Sequence, residues 1–277
     1  MRLVKIFLVF GFALSFTLIA KATEPVPNKL DEASTQVSQS APKKLLFVGN
    51  SFSFYNNGIH NHLGSLIRAN GEWKSGENRH KLLTYSGGHL FEQIISMAGI
   101  FEVDTRGFEA VILQGHSNEA IHPRKKERFQ AALKRAAELA RAQSLEPILF
   151  MTWGYAGDKQ MAVDIADAYI DQGKQLGLRV APVGLAFQAA ARTLPDINLY
   201  EPDVAGAKNG EVTYRKEIKH PSAAGTYLAA CVFYSLLFDK SPEGNPFISS
   251  LPKQEALALQ SLSWQVVKGF SQANSKR

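Results

Sequence analysis

The chain has 277 residues, 45% of them hydrophobic and 20% charged, which is enough to bury a full core and unlike the make-up of a disordered segment. Its formal charge of +6 does not mark a nucleic-acid binder, because Arg2, Lys5 and Lys21 fall in the first 22 residues and 28 basic residues face 25 acidic ones without them. No basic stripe interleaved with aromatics is present, and the lone Cys231, set in TYLAACVFYSLLF, excludes an intramolecular disulfide and reads as a small core residue.

Residues 1–22 carry two early cations, an apolar run from Ile6 to Ala20 and the small-residue site Ala20-Lys21-Ala22. That is the layout of a secretory signal peptide, and the run is shorter than the ~20 residues a membrane span needs. The expectation is an exported protein, periplasmic or secreted, that begins near Thr23 and has no stable membrane insertion after cleavage. Residues 23–42 are polar, contain three prolines and read as a flexible linker. A folded domain is expected over 43–277.

From Lys43 short apolar runs alternate with amphipathic stretches. The runs are LLFVG at 45–49, KLLTY at 81–85, AVILQ at 110–114, PILFMTW at 147–153 and RVAPVG at 179–184. Helices are predicted near 58–69, 90–100, 123–144, 159–176 and 221–238. The Arg124-Lys125-Lys126 cluster with Arg128 then reads as a solvated helix face. The β-α-β-α order with continuous apolar strands predicts an α/β fold, a three-layer α/β/α sandwich around a flavodoxin-like parallel sheet of about five strands.

Ligands of such sheets bind beyond the carboxyl ends of the strands. The residues there are Gly49-Asn50-Ser51, Ser86-Gly87-Gly88, Gly115 to Asn118 and Trp153-Gly154. Farther on, His220 precedes Pro221 and a helical stretch, so it is expected at an end of the sheet. A serine hydroxyl needs a nearby base to become a nucleophile, and histidine has the fitting pKa, so Ser51 and His220 form a candidate pair. His60 and His62 lie two apart on a helix and diverge, which opposes a shared metal; His116 and His122 flank the candidate site without a metal-ligand spacing. Trp73, Trp153 and Trp264 read as core. Position 53 is Ser, so there is no Gly-x-Ser-x-Gly elbow, and no phosphate-binding Gly-rich loop is present.

The blocks FVGNSFSF, SGGHL, LQGHSN and HPSAAGTYLAA, in this order over residues 43–240, resemble the SGNH (GDSL-like) hydrolase superfamily. MTWGY followed by VAPVGLAF resembles one of its bacterial exported branches. The resemblance implies that Ser51 is the nucleophile and His220 its general base, with no cofactor or metal. It implies an oxyanion hole from the Ser51 N–H, the Gly88 or Gly87 N–H, and the side chain of Asn118 or Gln114. The third block has two residues between Gly115 and Asn118 where many members have one, so it is closer to the QGESN form of carbohydrate acetylesterases.

The family places an aspartate three residues before the histidine, where this chain has Glu217. Asp203 competes if 204–218 is an insertion, and spacing leans slightly to Glu217. The implied activity is hydrolysis of carboxylic esters through an acyl-enzyme, with O-acetyl groups on glycans as one substrate class. A lipase or thioesterase of the same fold, or a non-catalytic glycan-binding protein, is the alternative. The expected partner is a small-molecule or glycan ester, with no nucleic acid, and nothing in the sequence fixes an oligomeric state.

Overall fold

The five apolar runs meet in one parallel sheet. Their strands are β1 Lys44–Gly49, β2 Arg79–Thr84, β3 Ala110–Gln114, β4 Glu146–Phe150 and β5 Arg179–Ala181, arranged β2-β1-β3-β4-β5. Every neighbouring pair is parallel and in continuous register, for example Phe47 beside Leu82 and Ile112. The computed structural model describes residues 41–275, so the expected signal peptide and nearly all of the expected linker lie outside the described residues.

Alternate residues of each strand enter opposite layers. Leu45, Phe47, Ile112 and Phe150 pack with α2 (Ile59–Ala69), α6 (Val183–Thr193), α7 (Ala223–Phe238) and α8 (Lys253–Ser275). Leu46, Val48, Val111 and Leu149 pack with α3 (Leu90–Val103), α4 (Lys126–Ala142) and α5 (Lys159–Leu176). The result is the three-layer sandwich expected. Burial on both faces is why these strands read as unbroken apolar runs. Helix α7 is apolar all round because it lies against α2, α6 and α8, and Cys231 is fully buried in it, where burial raises its thiol pKa.

Two readings need correction. The run RVAPVG is not one strand: β5 stops at Ala181, and Pro182 introduces α6, proline being suited to a helix start. Helix α8 was not anticipated, although Ala256, Leu259, Leu262 and Val267 bury a helically spaced face. Segment 204–218 forms an antiparallel hairpin, β7 (Val204–Lys208) with β8 (Glu211–Tyr214). Next to it, β6 (Tyr200–Glu201) pairs with β9 (His220–Pro221). Among the described residues no helix is long and apolar enough to cross a membrane.

Candidate active site

The chain leaves β1 through Gly49 and Asn50 into a single turn of helix, α1 (Ser51–Phe54). A Cβ at Gly49 would lie 2.4 Å from Gln114 Oε1, so only glycine lets β1 pass β3 this closely. Asn50 is almost completely buried and ties three strand ends together. Its amide donates to Gly88 O at 3.0 Å and Gly115 O at 3.3 Å; its Oδ1 accepts from Gln114 Nε2 at 2.6 Å and from Phe52 N–H at 3.2 Å. This rivet holds Ser51 in place.

Ser51 Oγ lies 2.8 Å from His220 Nε2, and His220 Nδ1 lies 2.5 Å from Asp203 Oδ1. The three groups form a continuous chain in which the Nδ1–H tautomer donates to the carboxylate and leaves Nε2 to accept from the serine. His220 itself is held from several sides. Trp153 Nε1–H donates to Lys219 O at 2.9 Å and Asn56 Nδ2 to Pro221 O at 2.7 Å. The Tyr55 ring stacks on the imidazole, with centroids 4.2 Å apart and planes 6° apart, and Phe52 meets it edge-on. Trp153 sits between Phe52 and Phe187 in a buried stack, the core role expected for it. Burial and the neighbouring Asp203 push the Tyr55 hydroxyl pKa up, so it stays a neutral phenol.

A cleft of about 590 Å³ opens over Ser51 and His220, with Gly87, Ser117, Arg215 and Lys219 in its wall. Gly87 has φ +66° at the third position of a turn that favours glycine there. The turn is closed by Gly88 N–H, which donates to Tyr85 O at 3.0 Å.

These contacts sort the expected residues. Ser51, His220 and Asp203 come together. Glu217 does not: it is exposed and has no bond to His220, because the hairpin carries it away while Asp203 returns to the ring. Gly88 is displaced as a donor because its N–H closes the turn, which leaves the Gly87 N–H, without an acceptor among the described residues, beside the cleft. Gln114 is fully buried, with its amide donating to Asn50 Oδ1 and Gly115 O and its Oε1 accepting from Ser53 Oγ and Asn50 N, so it braces the site from behind. Asn118 does not line the cleft; its backbone oxygen caps the following turn by accepting from Ile121 and His122 N–H. His60 and His62 do not converge either: His62 Nε2 meets Asn56 O at 2.8 Å.

Sequence reading passed over Asn50 and Tyr55 as separate contributors. The signal for Asn50 was a polar amide directly between a buried strand and Ser51; Tyr55 had none beyond its place one turn after Ser51.

No protein-family model and no curated protein sequence matches the chain. Solved structures do. The chain is similar to a DUF4886 family protein from Bacteroides uniformis, with 17% identity, TM-score 0.59, and 81% of this chain and 94% of that chain covered. It is similar to a protein from Slackia heliotrinireducens assigned to the SGNH hydrolases, with 20% identity, TM-score 0.52, and coverage of 69% and 96%. It is also similar to an acetyl xylan esterase, at 13% identity and TM-score 0.52, over 69% of this chain and 98% of that one. The chain therefore shares the fold of these proteins, one of which is assigned to the SGNH hydrolases.

Proposed function

We propose that the protein is an exported serine esterase in which Ser51, His220 and Asp203 act as a catalytic triad. The observation that carries this reading is the unbroken contact from Ser51 Oγ through both ring nitrogens of His220 to Asp203, at 2.8 and 2.5 Å. Ser51 attacks the ester carbonyl while His220 Nε2 takes its proton; Asp203 keeps the reactive tautomer and stabilises the imidazolium. The Ser51 and Gly87 N–H groups receive the charge that develops on the carbonyl oxygen. Collapse of the adduct returns the proton from His220 to the leaving alcohol and leaves an acyl-serine. Water, activated by the same histidine, then releases the acid.

We assign the acyl group as acetyl and the alcohol as a glycan. The cleft wall is polar, with Ser86, Ser117, Arg215 and Lys219 placed to hydrogen-bond hydroxyls, and an acetyl xylan esterase shares the fold. Labelling with a fluorophosphonate tests the reading: the unaltered protein reacts and Ser51→Ala does not, whereas a glycan-binding module on this scaffold reacts in neither form. Export is tested by N-terminal sequencing of the product found outside the cytoplasm, expected to start near Thr23. Full-length chain recovered from the membrane would oppose it.

A further inference from the structure

The oxyanion hole of such an esterase is completed by a side-chain donor, and the end of β3 presents no carboxamide to the cleft. Asn118 lies outside it, and Gln114 has committed its amide. The polar side chains that do line the cleft there are His116 and Ser117. Ser117 Oγ is 3.3 Å from His116 Nδ1 and 3.2 Å from the Tyr155 hydroxyl.

We propose that His116 completes the oxyanion hole, its Nε2–H acting as the side-chain donor alongside the Ser51 and Gly87 N–H groups. The inference rests on the serine-esterase reading above. Its first support is the tautomer. A phenol is the stronger donor of the three groups and an imidazole nitrogen the stronger acceptor. Tyr155 therefore donates to Ser117, Ser117 donates to His116 Nδ1, and the ring proton is left on Nε2. That nitrogen has no protein partner among the described residues and is left to the cleft.

The second support is preorganisation. The His116 ring stacks on His89 with centroids 4.6 Å apart, and His89 follows Gly87 and Gly88, so the ring stands against the loop that carries the other donor. The buried carboxylate of Glu119 holds His89 through Nδ1. Donors fixed before the charge develops are the ones that lower the barrier. The third support is charge state. Burial, then His89, Lys125 and Lys219, bring the pKa of His116 down to about 4, with Glu92 opposing only in part. At neutral pH the ring is an uncharged donor, a state suited to polarising a carbonyl.

The test compares His116→Phe, which keeps a flat ring and loses the donor, with His116→Gln, which keeps an N–H. A small acetyl ester and a boronic acid that mimics the tetrahedral adduct on Ser51 are the probes. His116→Phe is expected to lower kcat by about 100-fold with KM nearly unchanged, and to weaken the boronate by a similar factor; His116→Gln recovers most of both. Nitrogen-15 NMR of the unaltered protein, with His116 assigned through its loss in a variant, is expected to read the Nε2–H tautomer from pH 6 to 8. An active enzyme whose kcat and boronate affinity ignore His116, or a His116 found with its proton on Nδ1, overturns the inference while the triad stands. A protein that neither labels with fluorophosphonate nor hydrolyses the ester overturns the triad and this inference together.

Discussion

Arg215 N–H donates to Asp203 O across 2.8 Å, and this backbone bond closes the base of a hairpin that holds the Asp203 carboxylate beside His220. The chain departs at Asp203, runs out through β7, comes back through β8 and continues to β9, where His220 pairs with Glu201. The 17-residue separation between Asp203 and His220 is thereby reduced to a hydrogen bond, because Asp203 lies two residues beyond Glu201, the strand partner of His220. Val204, Val212 and Tyr214 on the hairpin are each more than half exposed, so the excursion adds nothing to the core.

Asp203→Asn is expected to lower turnover of a small acetyl ester by at least ~100-fold, because an amide facing Nδ1 favours the wrong tautomer and cannot stabilise the imidazolium. Glu217→Gln is expected to be nearly silent, since that side chain is exposed and away from the ring. Both are read as kcat at equal folded fraction. An active Asp203→Asn variant would leave a serine-histidine pair acting without an acid.

The contrast between those two carboxylates shows what the sequence could carry. The five strands and the place of Ser51 at a strand end were legible because strands covered on both faces must be apolar throughout, and because ligands of a parallel sheet bind at its carboxyl edge. The acid was legible only as a choice of two: counting back from His220 reaches Glu217, an insertion over 204–218 reaches Asp203, and the hairpin's closure makes Asp203 the spatial neighbour. Gln114, the alternative to Asn118 as donor, stayed open for a related reason. A carboxamide at the end of β3 has the chemistry of a donor, and only its bonds to Asn50 and Gly115 reveal that the amide is used. Helix α8 has a plain apolar period, and β5 ended early because Pro182 separates it from a helix whose first residues are as apolar as a strand.

Ser51→Ala and His220→Ala are each expected to abolish most turnover, and the double variant to be hardly slower than either single one. The Ser51 hydroxyl is a nucleophile only while Nε2, 2.8 Å away, can take its proton, so removing one partner disables the other. Losses that multiply in the double variant would show that the two residues act separately.

Acid stability offers a test away from the cleft. Burial, with help from His60 and Arg68, brings the pKa of His80 down to about 4, against an opposing bond to His60 O. Its Nδ1 donates to that oxygen at 3.1 Å, and its Nε2 is buried without a partner, so a second proton has nowhere to bond. The folded pKa lies below the ordinary value, and the unfolded chain therefore takes up the proton first on acidification. The stability contribution is complete above about pH 6.5 and is lost as pH falls toward 4, amounting to about 2 kcal/mol between pH 7 and 5. Urea midpoints at those two pH values are expected to differ less in His80→Gln than in the unaltered protein. The difference will not vanish, because burial also lowers His60, His62 and His116. An equal slope in both proteins would mean that His80 takes up its proton as readily in the fold as in the unfolded chain.

Asn50 joins stability to catalysis, and its replacement separates the two. The side chain makes four hydrogen bonds to groups on the ends of β1, β2 and β3 and is nearly inaccessible to water. Asn50→Ala leaves Gly88 O, Gly115 O and one Gln114 amide proton buried without that partner, at a cost of about 1–3 kcal/mol for each group that cannot relax. Gln114 retains its bond to Gly115 O, so a total of about 2–4 kcal/mol is expected in urea unfolding. Asn50→Asp keeps the shape and the acceptor but turns a carboxylate toward two carbonyl oxygens, and is expected to be at least as destabilised. In both variants the turn that carries Gly87 loses its anchor at Gly88 O. Turnover measured under conditions where each variant is fully folded should therefore fall by about tenfold or more, as expected when an oxyanion donor loses its fixed position, with KM little changed. Full turnover in a destabilised Asn50→Ala variant would mean that Gly87 is held by the turn alone and that Asn50 serves only the fold.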